Sequence, residues 1–318
     1  MRILMIAVND PAGTLGLFKR ALDGHTGHQC RVATLETRYV HAWEKDLHVP
    51  DLDAAGLDEL EGLLRNSDVF HFHMTADEHL ELGPFRPADF LAGKALVHHH
   101  HGHPDFRGNP EKYQEKYRTL GRRNLLVSTP DLLKKLPEAR WQPNLVMVDE
   151  PRYTPAQRTA ADWAGPLRLA HSPTRRDLKN TDELSAIARR MGDAVALDLI
   201  DDAPHAQCLR RKARAHACFD HMQGYYGMSS LEALSLGLAT IAGLDDWCAG
   251  HIQEFTGTPD LPWLTPRTPA ELEATLRDLA ADPALRRAAG EAGRRFMLDN
   301  WSDAKAVQRL DEFYNTLQ

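Results

Sequence analysis

Short apolar runs alternate with helical spacing along this chain, and the alternation starts afresh near its middle. Residues 3–8 form one apolar run, 15–22 carry helical periodicity, and 30–35 form a second run. Parallel neighbouring strands cannot be joined by a tight turn, so such runs linked through helices imply a parallel sheet with crossover helices. Further strands are predicted at 69–72, 95–98 and 125–128, with helices at 57–64, 111–120 and 130–136. Pro151, Tyr153 and Pro155 mark a linker, because proline interrupts both ladder and helix. The layout then repeats: strands at 167–170, 195–199, 218–220 and 239–242, and helices at 181–191, 206–215, 269–281, 283–300 and 303–317. The expected fold class is α/β, with two doubly wound, Rossmann-like domains at 1–150 and 151–300 and a terminal segment at 301–318.

The bulk properties narrow the partners. The chain of 318 residues carries 38 Lys plus Arg against 45 Asp plus Glu, a formal net charge of −7. That balance argues against a general nucleic-acid binder, whose affinity comes from neutralising phosphates. Cys30, Cys208, Cys218 and Cys248 lie far apart with no CxxC spacing, as reduced cytoplasmic thiols would. No run approaches the length needed to span a bilayer. Membrane contact is expected to be peripheral at most, through Lys112, Lys116, Arg118, Arg122 and Arg123.

The most informative segment runs from Phe219 to Gly237, which reads as strand end, glycine-punctuated turn and helix start. Gly224 and Gly227 permit backbone conformations and close approaches that a Cβ would block. Ser229 is placed to cap the helix, and the amides of Ser229, Ser230 and Leu231 to receive an anion. Glu232 falls in the first turn, where a carboxylate is favoured by the dipole and can accept from the hydroxyls of a ribose.

Asp220-His221, then Gly224-Tyr225-Tyr226-Gly227, then Glu232, together resemble the donor-site motif of the GT-B glycosyltransferases, in particular the bacterial "group 1" or family 4 type. The commoner form of that motif has two glutamates separated by seven residues; Gly224 stands at the first position and Asp220 is the nearest substitute. The segment from His171 to Asp182 is similar to the family's His-x-Pro-Ser/Thr…Lys-Gly-Thr stretch, with Asn180 in place of glycine. Arg175 and Lys179 are the cations expected to bind the diphosphate and stabilise it as it leaves. Gly13 and Thr14, in the first strand-to-helix turn, correspond to a loop that approaches the donor phosphate or the acceptor, although Ala12 replaces one of the usual glycines.

Residues 94–108 hold five histidines within six positions. On one strand His98 and His100 face one side and His99 and His101 the other, so four ligands do not converge without a bend, and no metal site is expected. The resemblance places His101, before Gly102, beside the donor sugar, with Arg107 as an acceptor or interdomain contact. His71 and His73 end a parallel strand on one side of the pleat, where either an acceptor-binding or a plain structural role is open.

The resemblance implies two facing domains with the donor in the cleft, 1–150 on the acceptor side, 151–300 binding the nucleotide sugar and the helix of 301–318 packing back on the first domain, and transfer of a sugar from a UDP, GDP or ADP sugar with retention, without a cofactor or divalent metal. The acceptor is left open among a glycan, a lipid-linked molecule, a small metabolite and a protein. Two alternatives are a non-catalytic subunit that binds sugar nucleotide or glycan and regulates a partner, and a nucleotide-sugar epimerase. The chain lacks the glycine fingerprint of dehydrogenases, a Walker loop, His-Glu-x-x-His and Gly-x-Ser-x-Gly.

Overall fold

A computed structural model describes residues 1–38 and 44–317; the expected terminal segment 301–318 therefore ends on a residue outside those described. The chain divides into two compact units, Met1–Leu145 with Ala304–Gln318, and Val146–Asp303.

The first unit opens with β1 (Arg2–Ala7), α1 (Thr14–His25), β2 (Gln29–Thr34), β3 (Leu47–His48), α2 (Ala54–Asn66) and β4 (Val69–His73). It continues through β5 (Ala95–His100), α3 (Pro104–Gly108), α4 (Pro110–Thr119), β6 (Leu125–Val127) and β7 (Arg140–Trp141). The strands form one seven-stranded sheet in the order β3-β2-β1-β4-β5-β6-β7, parallel throughout. The order reverses between β1 and β4, the place where open α/β sheets leave a crevice at their carboxyl ends. The core on one face is built from Leu4, Ile6, Phe70 and Phe72 of the sheet against Leu60 and Leu64 of α2. Residues 130–136, expected as a helix, form only a short 3-10 turn at Pro130–Lys134.

The second unit holds β8 (Leu167–His171), α5 (Thr181–Met191), β9 (Val195–Leu199), α6 (His205–Lys212), β10 (Ala217–Phe219), α7 (Met228–Ser235) and β11 (Ala239–Ile241). Three more helices complete it, α8 (Asp246–Thr256), α9 (Pro269–Ala281) and α10 (Pro283–Asn300). Its four parallel strands are ordered β11-β10-β8-β9, so the chain switches direction between β8 and β10. Leu169, Phe219 and Ile241 of the sheet pack with Leu184 and Ile187 of α5 and Leu272 and Leu276 of α9. All four cysteines are buried, and none forms a disulfide among the described residues. Among the described residues no helix is long and apolar enough to cross a membrane.

The terminal helix α11 (Asp303–Tyr314) returns to the first unit, where two side-chain bonds tie it to β7 and its flank. Gln142 Nε2 donates to the Ala306 carbonyl at 2.9 Å, and Arg309 Nε to the Trp141 carbonyl at 2.9 Å.

In the second unit α10 approaches the turn after α7 so closely that a Cβ at Gly290 would overlap the carbonyl of Gly237. Gly290→Ala is expected to cost about 1–3 kcal/mol by overpacking, seen as a lower urea midpoint with an unchanged slope; an unaltered midpoint would show that the turn yields freely.

Candidate functional site

In the second unit the carboxyl ends of β8 and β10 lie side by side, with His171 paired to Phe219. The first residue past β10 is Asp220, 2% exposed, and its carboxylate organises the turn that leads into α7. It accepts from the Gly227 amide at 2.6 Å, the Ser230 hydroxyl at 2.8 Å and the Lys179 ammonium at 2.8 Å. Burial pushes this carboxyl up, but the Lys179 charge, His221 and the Gly227 amide outweigh burial and hold it well below the ordinary carboxylate range. Gly227 fits under the ammonium because it has no side chain: a Cβ there would stand 3.0 Å from Lys179 Nζ and 3.1 Å from Asp220 Oδ2.

Gly227, not Ser229, is the N-cap of α7. The Ser229 hydroxyl instead lies 3.1 Å from that of Ser172 and accepts from Lys212 at 2.9 Å. Ser230 N bonds the Gly227 carbonyl, whereas the amides of Met228 and Ser229 meet no protein acceptor among the described residues. The Leu231 side chain belongs to the core.

Glu232 is also committed. One carboxylate oxygen accepts from Lys212 Nζ at 2.6 Å and the other lies 2.6 Å from His205 Nε2. Lys212 is 1% exposed, Glu232 5%. Burial opposes ionisation of Glu232, yet the charges of Lys212 and His205 bring its pKa down to about 2. Burial likewise opposes the Lys212 charge, and Glu232 reverses this and raises it above the ordinary lysine value.

Gly224 has φ +87, exchanges backbone bonds with Gly243 and Asp245, and lies where a Cβ would come 3.3 Å from Asp245 Oδ2. A glutamate at this position would have to adopt a left-handed backbone. Asn180 has φ 53 and caps α5, and its Oδ1 accepts from the Met222 amide at 2.9 Å. Asparagine is among the few non-glycine residues that tolerate this region, which accounts for its presence here. Arg175 is exposed and ion-paired with Asp177.

In the first unit Gly13 has φ 66 and caps α1, but the amides beyond it are occupied. The Asp10 carboxylate accepts from Thr14 N at 2.8 Å and Leu15 N at 3.0 Å, and burial raises its pKa to about 6 despite these bonds. Arg107 donates to the Gly102 carbonyl at 3.2 Å and to Asp131 at 2.5 Å. His71, His73 and His101 are brought together, with His73 Nδ1 2.9 Å from His101 Nε2. Four of the five cations expected as a basic face are neutralised: Lys112 by Asp105, Lys116 by Asp77, Arg118 by Glu115 and Arg122 by Glu78.

No protein-family model and no curated protein matches the chain. Solved structures do. HepE of Anabaena, in complex with UDP and glucose, aligns over 100% of both chains with a TM-score of 0.64 at 12% identity. A glycosyltransferase of Rickettsia africae aligns over 99% of this chain and 98% of its own, with a TM-score of 0.62 at 12% identity. Staphylococcus aureus TarM, in complex with fondaparinux, α-GlcNAc-glycerol and UDP, covers 82% of this chain and 58% of its own, with a TM-score of 0.55 at 13% identity.

The chain has the GT-B fold.

Within the GT-B fold, the residues expected at the donor motif fall into two clusters of the second unit. Lys179, Asp220, Gly227 and Ser230 form one; Ser229 and Glu232 join Lys212 and His205 in the other. Lys212 and His205 escaped the sequence reading. Their one available signal is a spacing of seven residues, which puts both on one face of α6.

The depressed Glu232 pKa has a defined consequence for stability. A carboxyl lowered from its ordinary 4.5 to about 2 stabilises the fold fully above 4.5 and loses that contribution as pH falls toward 2. Urea midpoints of the wild type are expected to drop between neutral pH and about pH 3 more steeply than those of Glu232→Gln. Parallel profiles would mean the pair contributes nothing. Lys212→Met, which strands a buried carboxylate, is expected to cost about 3–5 kcal/mol.

Proposed function

We propose that this protein transfers a sugar from a nucleotide-sugar donor, with the second unit holding the nucleotide. The observation that carries this reading is the Asp220-anchored turn, which brings the start of α7, with the acceptor-free amides of Met228 and Ser229, next to the Lys179 ammonium. Backbone amides at a helix start and an adjacent ammonium are what a diphosphate requires.

Lys179 and Glu232 can take a ligand while their present partners stay in place, and Arg175 can exchange its partner for one. Lys179 gives one of its three donors to Asp220, leaving two for phosphate oxygens. The Arg175 pair with Asp177 is exposed, hence weak, and yields to a phosphate. Glu232 accepts two charged donors but offers about four lone-pair sites, so a ribose hydroxyl pair is accommodated without breaking the Lys212 bond. Lys212 keeps Glu232 ionised and fixed in orientation, which removes the entropy of ordering it on binding.

In this reading Lys179 and Arg175 neutralise the charge that grows on the leaving diphosphate, so catalysis is largely electrostatic positioning. No metal takes part in that step, and the anomeric configuration is retained. The acceptor is a glycan or another hydroxyl compound, and the protein acts in the cytoplasm.

Incubation with UDP, GDP and ADP sugars should give slow hydrolysis of one donor class without added acceptor; inertness toward all three would overturn the reading, and a stereochemical change in the sugar would point to epimerisation instead. Lys179→Met should lower kcat by about tenfold or more while donor affinity changes by less, and equal losses would mean uniform binding. Glu232→Gln, which retains hydrogen-bonding capacity toward Lys212, should weaken binding of the matching nucleoside diphosphate by about tenfold; unchanged affinity would remove Glu232 from the ribose.

A further inference from the structure

The first unit carries a cluster that sugar transfer does not use. Because β4 and β5 are hydrogen-bonded neighbours with His73 opposite His99, histidines from two strands converge on one face of the sheet. The ring centroids of His71 and His73 are 4.1 Å apart, those of His71 and His99 5.3 Å, and those of His73 and His99 5.2 Å. His101, just beyond β5, lies 4.2 Å from His99 in the same measure. Considering the His98–His101 strand alone hid this convergence, since the additional ligands come from its neighbour. His98 and His100 do point the other way, toward Tyr117.

His71, His73 and His99 are each at most 1% exposed, and four of their ring nitrogens have no partner: Nε2 of His71, Nε2 of His73, and both nitrogens of His99. Buried nitrogens left without a partner are costly, and a ligand that fills them removes that cost. The other nitrogens of the β4 pair are occupied. His71 Nδ1 is 2.6 Å from the Tyr314 hydroxyl of α11, and His73 Nδ1 is 2.9 Å from His101 Nε2. A ring whose Nδ1 is bonded to an outer partner and whose Nε2 is bare has the arrangement of a metal-ligating histidine. Burial and the neighbouring imidazoles keep all three rings neutral, the form that ligates.

We propose that His71, His73 and His99 form a three-nitrogen site for a borderline first-row divalent cation of the Zn²⁺ type, with Tyr314 and His101 orienting the ligands. One nitrogen from each ring lies within 4.8 Å of the others. Zn–N bonds of about 2.0–2.1 Å require these atoms to draw inward on loading. An all-imidazole donor set excludes Mg²⁺ and Ca²⁺, which take oxygen ligands. Entry is at the carboxyl end of β5, where His101 is partly exposed. Through Tyr314, itself fully buried on α11, an ion on His71 tightens the terminal helix against the sheet. The site is independent of the donor reading and takes no part in the transfer step.

The test is calorimetric titration of the chelator-stripped full-length protein with Zn²⁺, alongside Co²⁺ loading followed by visible absorption. A single equivalent of Zn²⁺, Co²⁺ bands of nitrogen ligation, a higher Tm on loading and no response to Mg²⁺ are expected. His99→Phe, which keeps a ring in the stack, should abolish uptake. Tyr314→Phe, which leaves every ligand in place, should weaken it about 10–100-fold, and His100→Phe on the opposite face should leave it unchanged. Absence of stoichiometric uptake by the wild type overturns the proposal, and so does uptake that neither His99→Phe nor Tyr314→Phe diminishes.

Discussion

The second unit depends on one buried carboxylate. Asp220 sits at the end of β10, next to the switch in strand order, and its two oxygens gather the Gly227 amide, the Ser230 hydroxyl and the Lys179 ammonium. These three bonds determine where the turn closes and therefore where α7 begins. Without them the first amides of α7 and the ammonium beside them would have no common target. The ion pair also explains how Lys179 is held largely out of water: its charge is compensated before any ligand arrives.

A second buried pair performs a related task one turn further on. Lys212 and Glu232 are both nearly inaccessible, and each would be expelled or neutralised without the other. Together with His205 and Ser229 they form a charged, hydrogen-bonded island around α6 and α7. Retaining such a group where apolar packing would serve stability as well is consistent with a polar site whose geometry has to be specific. In the first unit the polar groups are arranged differently, as stacked neutral imidazoles with bare nitrogens, an environment suited to a metal ion rather than an anion.

Much of the architecture was legible in the chain. Buried parallel strands need continuous apolar runs, and those runs located β1, β2, β4, β8, β9 and β10 to within a residue or two at each end. The two-residue strands β3 and β7 were illegible, since Leu47–His48 and Arg140–Trp141 contain no periodicity to read. At the donor motif, Gly224 and Gly227 announced a turn because only glycine suits a φ of +87 or the space beneath Lys179. The cap was misassigned to Ser229 because serine is a good N-cap in general. Here Gly227 is the cap residue, its own amide held by Asp220 from seven residues upstream, and Ser229 is left to bond Lys212.

By itself the amino-acid sequence determined the α/β class, the two successive sheet units and the glycine-marked turn, because periodicity, apolar runs and backbone permissiveness are local properties. Tertiary structure alone decided which side chains meet. Lys212 reaches Glu232 across 20 residues, His71 reaches Tyr314 across 243, and His73 faces His99 through strand pairing. Such contacts depend on register and on helix packing, which no local stretch of the chain encodes.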